Sequence, residues 1–113
     1  MALPRTKFKT VSDEVPALDT TVYTAPSRYN ALVLTCQVVN TDGSNPHSVS
    51  LYLNKDSMQK PLLVGYEITE KEILNILGGS LGSLVLEPGD FLSVSGDSTL
   101  LNITLSVLET LKV

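Results

Sequence analysis

Period-two alternation of apolar and polar residues constrains this chain more than any other feature. In "LLNITLSVL" (100–108), Leu101, Ile103, Leu105 and Val107 alternate with Asn102, Thr104 and Ser106. In "SVSLYLN", Val49, Leu51 and Leu53 alternate with Ser48, Ser50, Tyr52 and Asn54. In "NALVLTCQVVN" (30–40), Leu32, Leu34, Cys36 and Val38 fall on one face of an ideal strand. Such alternation marks antiparallel strands with one buried and one wet face. Shorter candidates are "KFKTV", "TTVYT", "LLVGYEI", "SLVL" and "FLSVS". About eight short strands at this spacing predict an all-β fold, an antiparallel β-sandwich of jelly-roll-like or immunoglobulin-like connection.

The punctuation between these runs is turn chemistry. "TDGSNPH" (41–47) reads as a hairpin loop, and "APSRYN" (25–30) and "SGDST" (95–99) as turns. In "LEPGDFLSVSGD" (86–97), Pro88 presets its own φ, Gly89 supplies the freedom of a type II turn, and Asp90 can bond the local backbone. One segment departs from the pattern. In "TEKEILNILGG", Thr69 and Glu72 have capping-box spacing, Ile73, Ile76 and Leu77 share a helical face, and Gly78 is placed to stop it. That spacing predicts one short helix near 70–77.

At 113 residues the chain has the length of one domain, large enough to bury a core without staples. Residues 1–17 carry Pro4, Pro16, clustered charges and few apolar side chains, and read as an extended N-terminal arm ahead of a sandwich over 18–113. Two readings fit the arm: a disordered tail, or a strand added to a neighbouring subunit. The net charge is −4 and the pI near 4.7, which argues against nucleic acid as the main partner. No stretch approaches the ~20 apolar residues of a membrane span, and "MALPRTKFKT" lacks the continuous apolar run of a secretory signal.

Candidate chemistry is sparse. His47 is the sole histidine and sits in a loop, while Cys36, the sole cysteine, lies on an apolar strand face where a thiol is inert. Asn40, Asp42 and Asn45 are calcium-type ligands, but the glycine of "NTDGSN" is misplaced for an EF-hand. "GGSLGS" (78–83) has no lysine to complete a phosphate loop. "LEPGD" resembles the Pro-Gly-Asp turn of cupin barrels, yet those enzymes hold a metal with a His-x-His pair that is missing here. The expectation is no catalytic residue, no cofactor and no metal.

The order of "TTVYTAPSRYNALVLTCQVVNTDGSNPHSVSLYL" and "LVLEPGDFLSVSGDSTLLNITLSVLE" resembles small β-sandwich structural proteins of tailed bacteriophage virions. The matching positions are Val22, Tyr23, Pro26, Asn40, Leu51, Leu53, Pro88, Gly89, Asp90, Val107 and Glu109, spread over residues 18–110. The resemblance implies a capsid decoration or cement protein that binds the major capsid or other virion subunits. It implies a homo-oligomer with a trimer favoured, assembled in the host cytoplasm and located in the virion. A neck, tail or fibre component is the alternative, as is a receptor- or carbohydrate-binding module. The basic arm singles out Arg5, Lys7, Phe8 and Lys9 as partner-binding residues, and turn context adds Arg28 and Tyr29. For Tyr29, packing on its own sandwich is an equal reading.

Overall fold

The computed structural model describes residues 5–112. Nine strands occupy most of it: β1 Thr6–Glu14, β2 Thr20–Thr24, β3 Tyr29–Asn40, β4 His47–Lys55, β5 Met58–Ile68, β6 Ile73–Leu77, β7 Leu84–Leu86, β8 Phe91–Gly96 and β9 Leu101–Leu111. One sheet runs β1-β9-β3-β6, with β7 also on the far edge of β3, and the other runs β2-β8-β4-β5. All pairs are antiparallel. The pairing is nested: β1 with β9, β2 with β8, β3 with β6 and β7, and β4 with β5. A long double ribbon of this kind, rolled so that β9 meets β3 and β8 meets β4, is a jelly roll.

The alternation in the sequence becomes the core. Leu101, Ile103, Leu105 and Val107 of β9 and Val49 and Leu51 of β4 point between the sheets and are fully buried. They meet Leu92 and Val94 of β8, while Val15 closes the crossing from β1 to β2. All eight sequence-predicted strands are present.

Three expectations need correction. The segment expected as a helix is strand β6, paired with β3 through Leu74 to Val38 and Ile73 to Val39. Apolar residues at 74 and 76 satisfy a strand period as well as a helical one. Lys71, at φ 59, adopts the left-handed conformation that stops a helix before its first turn closes. The 3-10 turn Gly79–Leu81 is the one helical element among the described residues.

The inward face of β3 is also not the uniform set that ideal alternation gives. Ala31 and Val33 are buried ahead of a bulge between Val33 and Thr35, and Cys36 and Val38 after it. The extra residue reverses the phase, so Leu32 and Leu34 lie on the outer face.

Finally, within the expected arm, residues 6–14 form β1 and pair along their whole length with β9 of the same chain, from Thr6–Thr110 to Glu14–Asn102. Residues 1–4 and 113, which fall within the expected limits of arm and sandwich, lie outside the described residues.

Candidate functional site

The end of the sandwich where β1 begins and β9 ends gathers Lys7, Lys9, Tyr23 and Glu109. The inward alternation of β9 continues past Val107 to Glu109, whose side chain is 0 % exposed. A carboxylate there is stable only with partners. The Tyr23 hydroxyl, reaching across from β2, donates to Oε2 at 2.5 Å. Lys9 Nζ lies 3.4 Å from Oε2, and Lys7 Nζ lies 3.3 Å from Oε1 at ion-pair distance without hydrogen-bond alignment. Lys7 also sits 4.3 Å above the ring of Tyr29, a cation–π contact. Burial raises the Glu109 carboxyl, but Tyr23, Lys7 and Lys9 together outweigh it and hold it below the usual range. Burial pushes the Tyr23 hydroxyl up, and the bond to Glu109 pushes it further.

Beside this cluster stands the Glu87–Asp90 turn. Asp90 N–H donates to Glu87 O at 2.9 Å around Pro88 and Gly89, and Gly89 has φ 90, as a type II turn requires. The buried Asp90 carboxylate accepts the Glu87 N–H at 2.9 Å and Lys55 Nζ at 2.9 Å, while Lys55 also meets Glu87 at 2.8 Å. The two carboxylates raise Lys55 above its usual range, and Lys55 in turn lowers Glu87.

At the opposite end, His47 is clamped by its two nitrogens. Nε2 meets Asp42 at 2.8 Å and Nδ1 meets Asp97 at 3.0 Å. The bond to Asp42 is the main reason His47 is raised above 6.5, and His47 with the Ser44 N–H lowers Asp42 to about 2. When His47 is protonated both nitrogens donate to these carboxylates, and the imidazole then has no lone pair for a metal or a substrate proton. Cys36 is fully buried, and desolvation pushes its thiol up to about 12, which removes the thiolate needed for attack. Among the described residues no group of three or more His, Cys, Asp or Glu side chains is placed to hold a metal ion.

Of the sequence-predicted partner-binding residues, Lys7, Lys9 and Tyr29 are brought together, but around Glu109 and inside one chain. Tyr29 is 4 % exposed, so the reading that packs it on its own sandwich is the one realised. Arg5, Phe8 and Arg28 face outward. Arg5 and Arg28 flank the end of β9, their carbonyls accepting the Leu111 and Lys112 N–H groups at 2.7 Å each. Arg28 holds a left-handed φ of 74, sparsely populated for a residue with a side chain. Glu109 and Tyr23 escaped the sequence reading as site residues. The signal was available: Glu109 extends the inward series 101, 103, 105, 107 by one step. Comparison with protein-family models, curated proteins and solved structures returns no match.

Proposed function

We propose that this chain is a non-enzymatic structural protein of a phage virion, a capsid decoration or cement protein that binds the major capsid or other virion subunits. The observation that carries the reading is the basic end of an otherwise acidic molecule. Arg5 and Arg28 flank the terminus of β9 next to Lys112, in a chain of net charge −4. Both arginines are exposed, and the turn at Arg28 is fixed by a backbone bond. Such an end suits an acidic patch on a neighbouring protein surface, where arginine forks bind carboxylates in pairs. Cys36 is buried with its thiol pushed up to about 12, and His47 is held between Asp42 and Asp97, so neither stands free as a nucleophile or base. The sequence resemblance to virion sandwiches supplies the kind of particle, and jelly rolls are common among capsid components. Lys7, Lys9 and Tyr29 serve to hold β1 in place.

The test is reconstitution. Virions produced without the protein are mixed with purified wild type, or with an Arg5→Glu/Arg28→Glu variant, and sedimented. Wild type is expected to co-sediment at a stoichiometric ratio and the variant to stay in the supernatant. Wild type that never binds particles would overturn the proposal. Imaging of the decorated particles separates capsid from neck, tail and fibre positions.

A further inference from the structure

We propose that the outer face of the β1-β9-β3 sheet is a contact surface for a second copy of this chain, packed face to face about a two-fold axis. Strand register brings Phe8 opposite Leu108, Leu108 opposite Leu32, and Leu32 opposite Val85. The four side chains form one apolar row that crosses the sheet from β1 to β7 on the side away from the core. Its ends are open to solvent, with Phe8 77 % and Val85 61 % exposed. Exposed apolar side chains scattered singly need no explanation, but a continuous row across four strands does.

The charge pattern chooses the occupant. Around the row this face carries Ser, Thr, Asn and Gln together with Leu34, Val39 and Ile73, and among the described strand residues Glu14 at the far end of β1 is its one ionised residue. A surface that meets its own copy about a two-fold axis meets its own net charge. A self-complementary face on a molecule of net charge −4 must therefore be close to neutral, as this one is. Depletion of charge at the centre is also the compositional mark of protein interfaces. The size fits a modest dimer. Strands of about nine residues at ~3.3 Å, four strands wide at ~4.8 Å, give two faces that together bury on the order of 1,200 Å². Twisted sheets stack at about 30° to one another, which brings the row of one copy against the row of the other. The inference concerns copies of this chain and stands independently of the virion reading.

Sedimentation equilibrium of the purified full chain over a wide micromolar range tests it without any particle. Wild type is expected to be a reversible dimer. Phe8→Glu and Val85→Glu, both at exposed positions, are expected to weaken it by about tenfold or more each, since each places an unpaired charge in the apolar seam and gives both faces the same net charge. Val64→Glu, on the edge strand β5, is expected to leave the dimer unchanged. Circular dichroism and thermal melting check that each variant keeps the fold. A wild type that stays monomeric throughout, or an oligomer lost on Val64→Glu and indifferent to Phe8→Glu, overturns the proposal.

Discussion

Glu109 carries a full negative charge between two sheets, and its environment rather than its own chemistry makes that tolerable. Tyr23 donates to one oxygen, and two lysines neutralise the charge from the edge strand. Tyr23→Phe removes one donor while preserving shape, and leaves the buried Oε2 with Lys9, at 3.4 Å, as its remaining partner. The expected loss is about 1–2 kcal/mol in urea unfolding. Glu109→Ala removes the group that both lysines face. Because the lysines are partly solvated, the expected loss is about 2–3 kcal/mol, below that of a fully buried pair. If Glu109→Ala were as stable as wild type, the cluster would be decoration rather than a clasp. His47 makes a different prediction, in pH. Its folded pKa is raised above 6.5, so its contribution is fully present below 6.5 and fades as pH climbs through the raised value. Asp42, lowered from 3.8 to about 2, contributes above 3.8 and loses its share as pH falls toward 2. The difference in melting temperature between wild type and His47→Gln is therefore expected to be larger at about pH 5 than at about pH 9. An equal difference at both pH values would exclude a charged His47 bridge.

At the scale of elements, local chemistry was readable where a backbone conformation demands one residue type. The Pro88–Gly89 turn is an example, since its positive φ asks for glycine whatever the neighbours do. Two glycines separate conformation from space. A Cβ at Gly89 would meet nothing within 4 Å, so Gly89→Ala is expected to cost only the strain of φ 90, about 1–2 kcal/mol. Gly96 ends β8, and a Cβ there would lie 2.8 Å from Val15 Cγ1 and 3.1 Å from the Ser48 carbonyl. Gly96→Ala is expected to cost about 1–3 kcal/mol through crowding, and Val15→Ala in the same chain should recover part of it. Denaturant unfolding of the three variants checks both; no recovery in the double variant would rule out crowding against Val15. Where pairing partners decide, local signals misled. Residues 73–77 carry apolar positions that suit helix and strand alike, and the open edge of β3 settles the choice. The bulge near Leu34 leaves no mark in the alternation, because Leu32 and Leu34 are as apolar as the residues buried in their place.

For the whole molecule, the class was legible because eight alternating runs fit little else, but the jelly-roll order was not. It depends on which distant runs pair, and alternating strands are interchangeable in that respect. The site was legible in part. Charge clustering brought Lys7 and Lys9 forward, while their role follows from Glu109, a residue one hundred positions away that only the β1–β9 pairing brings near. The same long-range pairing governs folding. Thr6 meets Thr110 and Tyr29 meets Leu111, whereas the β4–β5 hairpin closes across Asp56 and Ser57 alone. Entropy of closing large loops must be met before the β9 contacts return anything, so refolding is expected in milliseconds to seconds, with the hairpin formed first. Leu51 in β4 and Leu105 in β9 are both fully buried, and truncating either to alanine is expected to destabilise by about 2–4 kcal/mol. Their kinetics should differ. Leu51→Ala is expected mainly to slow folding, because its strand belongs to the early hairpin, and Leu105→Ala mainly to speed unfolding, because β9 docks last between β1 and β3. Stopped-flow chevrons of the two variants decide the order, and a Leu105→Ala variant that slows folding as much as Leu51→Ala would place β9 in the nucleus instead.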